Sequence, residues 1–224
     1  RAYASDPAHY ESAHQYARTL ELRGDFKRAK AMYERAMQLA PNSGPLLNDF
    51  GSFKERVENN VTEAFRMIHE AVSKYPADPS ALCNKGRLRE SIGRHAEAEE
   101  LYKQALSLWP SHVPTLCNFG HMLMERSQLA TSEYGQEMLE KSAETLFRKG
   151  IEVMPYHPAT LVNLATLLIQ RGHSNDREAE KLLETALKME PNMAEAHTSL
   201  GSLLDHRAAE LWQALEDDDR EAAA

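Results

Sequence analysis

Two cysteines, Cys83 and Cys117, are all that the 224 residues contain. That scarcity rules out a disulfide framework and favours a reducing, intracellular (cytoplasmic) setting. No apolar run approaches the ~18–20 residues a helix needs to cross a bilayer. Positive charge is not in surplus: 26 Lys and Arg stand against 34 Asp and Glu, a formal charge of −8. The balance argues against nucleic-acid phosphates and anionic lipid as partners. There is no Gly-rich phosphate loop, nucleophile elbow, CxxC or HExxH spacing. Cys83, Cys117 and His121 form the one metal-like grouping, and it lacks a fourth ligand. The carboxylates scatter at helical spacing among Lys and Arg, as solvated helix faces do. No catalytic residue, metal or cofactor is therefore expected. Arg1 is not a natural start, which leaves an upstream targeting segment open.

What the chain does contain is a repeat. The pattern Ala-x3-large-x2-Ala-x4-Pro occurs as Ala29-Tyr33-Ala36-Pro41, Ala64-Ile68-Ala71-Pro76, Ala98-Tyr102-Ala105-Pro110, Ala143-Phe147-Gly150-Pro155 and Ala179-Leu183-Ala186-Pro191. Its prolines are 35, 34, 45 and 36 residues apart. A second signature precedes the last four copies, Leu47-x2-Phe50-Gly51, Leu82-x2-Lys85-Gly86, Leu116-x2-Phe119-Gly120 and Leu161-x2-Leu164-Ala165, with looser versions at the two ends, Ala13-x2-Tyr16-Ala17 and His197-x2-Leu200-Gly201. Both sets recur on one side of a 3.6-residue period, so each unit reads as two helices that approach closely at small residues. Gly24, Gly93 and Gly172 punctuate the turn inside a unit, and proline ends the second helix. Asp6-Pro7 and Asp78-Pro79 read as N-cap followed by the first helical position. Periodicity on this scale means stacked supersecondary units rather than one globular core.

The combination resembles the tetratricopeptide repeat family, whose 34-residue helix-turn-helix unit carries Leu-Gly in its first helix and Ala, aromatic, Ala and Pro in its second. The resemblance covers residues 10–204: units 10–43, 44–78, 79–112, 113–157 and 158–193, and a partial unit from 194. Residues 1–9 are read as a lead-in, 205–216 as a capping helix extension, and 217–224 as an acidic tail. Leu200, Leu203, Leu204, Leu211, Trp212 and Leu215 are the apolar face expected to cover the last unit. The fold the resemblance implies is an all-α, right-handed superhelical solenoid. Lys85 stands where the family buries Leu, and Lys54 and Arg89 where it has a large apolar or aromatic residue. These either snorkel to solvent or loosen their units. About eleven residues beyond the repeat period, around Ser127 to Met138, are expected to lengthen both helices of the fourth unit.

The resemblance also implies a binding groove lined by first helices, with a partner peptide or helical segment in it; the charge balance and the lack of a long apolar run add the expectation of no nucleic acid and no membrane. Carried over position by position, the groove receives Asn48, Asn84, Asn118 and Asn163, whose amides can bond an extended backbone. In the alternative they bond neighbouring helices. Arg18, Arg56 and Arg87 face the same way, open to a partner's acidic group or paired internally with Glu21, Glu55 or Glu90. His121, Met124, Val162 and Ile169 complete the candidate site, the last three as an apolar pocket or as ordinary packing. The function implied is a non-enzymatic scaffold or adaptor. Two alternatives stand beside it: the substrate-recruiting region of a larger enzyme, resembling O-linked N-acetylglucosamine transferase, and an RNA-processing scaffold of the half-a-tetratricopeptide type, which Ala31-x-Tyr33-Glu34-Arg35-Ala36 resembles.

Overall fold

The computed structural model describes residues 9–172 and 175–222, except the side chains of 206, 210, 211 and 213–222. The described residues contain eleven helices and no strand. They are α1 (Tyr10–Leu22), α2 (Phe26–Leu39), α3 (Gly44–Arg56), α4 (Val61–Lys74), α5 (Pro79–Ser91), α6 (His95–Leu108), α7 (Val113–Gln128), α8 (Glu133–Val153), α9 (Pro158–Gln170), α10 (Asp176–Met189) and α11 (Ala194–Ala222).

Each repeat forms a helix pair for the reason its pattern gives. The alanines of α2, α4, α6 and α10 (Ala29, Ala36, Ala64, Ala71, Ala98, Ala105, Ala179, Ala186) are fully buried, with Tyr33, Ile68, Tyr102 and Leu183 between them. Small side chains let the pair close, and the large one fills the space alongside. The partner glycines permit the approach: a Cβ on Gly51 would lie 2.8 Å from Ile68, on Gly86 2.8 Å from Tyr102, and on Gly120 2.5 Å from Phe147.

The turns within repeats use positive φ, +74° at Gly24, +76° at Gly93 and +96° at Gly172, where Gly bears no Cβ penalty. The second repeat solves the same turn with Asn59 at φ 52°, a residue whose short polar side chain tolerates that region. Asp78 caps α5 as its sequence suggests, its carboxylate accepting from the N–H of Ser80 at 2.9 Å and of Ala81 at 3.4 Å. Asp6-Pro7 lies outside the described residues.

The extra residues of the fourth repeat lengthen its helices to 16 and 21 residues, against 13 and 14 in the third. Leu129, Tyr134 and Met138 are exposed at that end. The final helix departs from the expected cap. It runs unbroken for 29 residues, through the acidic stretch read as a tail. Leu203 is fully buried, but Leu204 is 50% and Trp212 69% exposed. The apolar face therefore ends with Leu203 among the described side chains, because the spacing puts Leu204 and Trp212 on the solvent side; Leu211 and Leu215 are outside the description.

The chain divides into two units, residues 1–115 and 116–224. In the first, Ala13, Ala17, Leu20, Tyr33, Leu47 and Phe53 belong to one buried cluster, and Phe50 stacks on Tyr33 at 5.1 Å. In the second, Leu161, Leu164, Leu167, Leu168 and Leu183 are buried, and α9 packs on α8, α10 and α11.

Candidate functional site

On the first helices of the repeats, residues spaced i, i+3 and i+4 share one face, and this face carries the polar candidates. In the first unit they bond to each other across α1, α3 and α5. His14 is buried, and its Nε2 lies 2.9 Å from Asp49 Oδ2. A carboxylate only accepts, so Nε2 carries the proton. Arg18 Nε approaches the same oxygen at 3.5 Å, and Asn48 Nδ2 donates to Asp49 Oδ1 at 3.3 Å. Asn84 Nδ2 then donates to Asn48 Oδ1 at 2.9 Å. The result is a polar line running His14, Asp49, Asn48, Asn84 from one first helix to the next.

The arginines take internal partners. Arg56 Nη2 is 2.6 Å from Glu21 Oε1, and Arg87 donates to Glu55 at 2.7 Å and to Ser52 Oγ at 3.4 Å. Glu21 also accepts from the Tyr33 hydroxyl at 2.8 Å, and Glu90 from that of Tyr102 at 2.7 Å. Burial, then the glutamate, drives both phenols well above their ordinary range. Each glutamate thus ties a second helix back to its own first helix, and Glu21 also ties to the first helix of the next repeat.

In the second unit, Asn163 Nδ2 donates to Cys117 Sγ at 3.5 Å, and Thr166 shares a hydrogen bond with Ser199 at 2.9 Å. Burial pushes the Cys117 thiol up. His121 is half-buried, 4.0 Å from Glu125. Asn118 and Asn163 are half-buried, whereas Met124, Val162 and Ile169 are only 5%, 4% and 7% exposed. The structure therefore places those three in packing between helices and leaves the amides at the surface.

Asn84 and Asn163 each use one N–H of an amide that can form four hydrogen bonds. Their Oδ1 atoms have no bond among the described residues. Bonding the stack and bonding a ligand are thus compatible at one side chain.

Sequence reasoning missed a buried imidazole, His112, and a half-buried one, His157. His112 Nδ1 lies 2.7 Å from Thr115 Oγ1 and its Nε2 3.2 Å from Ser80 Oγ. His157 Nδ1 lies 2.8 Å from Thr160 Oγ1 and accepts from the Thr160 N–H. Burial holds both below the ordinary histidine range. The signal was present in the spacing, since His112–Thr115 and His157–Thr160 are both three apart at a helix start.

Two tetratricopeptide repeat family models match the chain, over residues 10–43 and 56–113. No curated protein matches it in sequence. Among solved structures, a chain of the Cut9–Hcn1 hetero-tetramer of the APC/C superposes with a TM-score of 0.67 at 17% identity, over 90% of this chain and 37% of its own. Human IFIT1, solved as a dimer with m7Gppp-AAAA, gives 0.71 at 21% identity, over 83% of this chain and 43% of its own. The type IV pilus biogenesis factor PilW gives 0.63 at 20% identity, over 88% and 86%. The chain thus spans about two fifths of the Cut9–Hcn1 and IFIT1 chains it resembles. At these identities the likeness is one of fold.

Proposed function

The chain is a tetratricopeptide repeat protein, and we propose that it is a non-enzymatic scaffold whose first-helix faces hold an extended segment of a partner protein. Tetratricopeptide repeats are interaction modules and typically carry no catalysis of their own. The observation that carries the finer reading is the half-buried amide at one repeat position, Asn84 in the first unit and Asn163 in the second. Each has a donor engaged in the stack and a carbonyl oxygen left for a peptide N–H. Asn118 occupies the same repeat position. Such contacts are sequence-tolerant, because a backbone N–H is offered by every residue but proline.

Magnitude limits what the amides do. A net hydrogen bond contributes about 0.5–1.5 kcal/mol, against an association cost on the order of 4–15 kcal/mol. They align a partner and do not hold it alone. Arg18, whose one ion pair among the described residues is a long one to Asp49 and whose side chain is 54% exposed, supplies a charge that an acidic partner group can share. Arg56 and Arg87 act chiefly inside the protein, through Glu21 and Glu55.

The test is affinity capture with cross-linking mass spectrometry, comparing the unaltered protein with N84A/N118A/N163A. Cross-links from the captured partner should map to α3 and α5 in the first unit or to α7 and α9 in the second. The triple variant should lose about tenfold of the capture, the equivalent of ~1.4 kcal/mol, while keeping its helical circular dichroism. Undiminished capture by a folded triple variant overturns the reading.

A further inference from the structure

The second and third repeats each place a cation where their pattern calls for an apolar side chain, and they treat it differently. Lys54 on α3 lies over the Phe50 ring at 4.8 Å and bonds Glu58 at 2.9 Å. Lys30 joins the same carboxylate at 2.8 Å. Arg89 on α5 lies over the Phe65 ring at 4.5 Å and pairs with Glu97 at 3.2 Å. Lys85, one turn before Arg89, has no hydrogen bond or ion pair among the described residues. The carboxylate that acts on it, Glu97, is shared by Arg89 and by Arg94 at 3.1 Å.

Lys85 is half-buried and opens into a cleft of about 450 Å³ between α5 and α6, walled by Ala96 and Leu101, with Arg89, Glu97 and Glu100 around it. Lys85 and Arg89 stand there against Glu97 and Glu100, and Glu97 is already engaged by Arg89 and Arg94, so among the described residues no carboxylate pairs with Lys85. Burial and the Arg89 guanidinium hold the Lys85 ammonium below its ordinary range. Desolvation without a counter-ion is costly, and the second repeat shows how this same chain meets that cost when it supplies its own anion.

We propose that the α5–α6 cleft is a second docking site, taking a partner segment that presents an acidic side chain to Lys85 and an adjoining apolar side chain to Ala96 and Leu101. The carboxylate completes at Lys85 what Glu58 completes at Lys54. The apolar neighbour covers the walls, so the pair is recognised as an acidic–apolar step rather than as charge alone. A charge-assisted bond in a partly desolvated cleft is stronger than one on open surface. This site shares no residue with the asparagine faces, and a partner can engage it whether or not they are used.

The experiment is an NMR titration of the intact protein with acetyl-Glu-Leu-Phe-amide and, separately, acetyl-Gln-Leu-Phe-amide. The Glu peptide should shift the amides of Lys85, Ala96 and Leu101, and the Gln peptide should bind about tenfold more weakly, as expected for loss of one bond to a charged group. K85R should keep the preference, and K85M should erase it without losing helicity. Equal binding of the two peptides, a preference that survives in K85M, or shifts confined to Asn84 and Arg87 overturns the proposal. So does the absence of any shift at those three amides. Should K85M fail to fold, the comparison of the two peptides on the unaltered protein decides alone.

Discussion

A methyl group is the smallest change that tests the packing, and Gly120 is the place for it. A Cβ there would sit 2.5 Å from the fully buried Phe147 ring, which has nowhere to retreat. G120A should destabilise the protein by about 1–3 kcal/mol, read as a lower urea midpoint at unchanged slope. The imidazoles of His112 and His157, one buried and one half-buried, give a second residue-scale prediction. His112, which burial lowers while Asp78 pulls the other way, and His157, likewise opposed by Glu190, hold fewer protons folded than unfolded. Their stabilisation is therefore complete above the ordinary imidazole value of about 6.5. It drains away as pH falls below that, by at most about 1.4 kcal/mol per pH unit for each group. Unfolding midpoints measured from pH 7.5 to 5 should fall, and H112Q/H157Q should flatten the decline. The lowered carboxylates, Glu58, Glu63, Glu70, Glu137 and Glu144, release their stabilisation only below about 4.5, so the two windows separate.

Among the elements, α5 and α11 make contrasting cases. Asp78 satisfies two N–H groups at the start of α5, and D78A should cost about 0.5–2 kcal/mol, seen in thermal denaturation. In α11 the weight rests on Leu203, so L203A should cost about 2–5 kcal/mol. W212A should stay within ~0.5 kcal/mol, whereas a helix that capped through Trp212 would lose far more. The helix pairs were legible in the sequence because Ala-x3-large-x2-Ala is a burial pattern in itself, and small-to-large alternation has one physical outcome. The turn at Asn59 was not, since Asn takes positive φ too rarely to announce it. The length of α11 was also misjudged, because an acidic run suggests solvation but contains nothing that stops a helix. At the candidate site, the equivalent repeat position of Asn84, Asn118 and Asn163 could be read from spacing. The bond from Asn84 to Asn48 could not, because it depends on how close two neighbouring first helices come. The partners of Arg56 and Arg87 were open for the same reason.

Across the whole molecule, no helix among the described residues is long and apolar enough to cross a membrane. Each unit carries its own buried alanines and aromatics, and a repeat stack gains stability from local interfaces. Overpacking one repeat should therefore show first where it is made. A98L, placed against the fully buried seam of α5 and α6, should cost about 1–3 kcal/mol. Native-state hydrogen exchange should show the faster amides in those two helices, and a loss spread evenly over α1 to α11 would contradict that.

One consequence follows from the two thiols. Cys83 is 2% exposed in the first unit and Cys117 5% in the second. A thiol reagent can reach neither until its surroundings come apart, so the rate at which each is alkylated is a clock for the transient breathing of its own half of the chain.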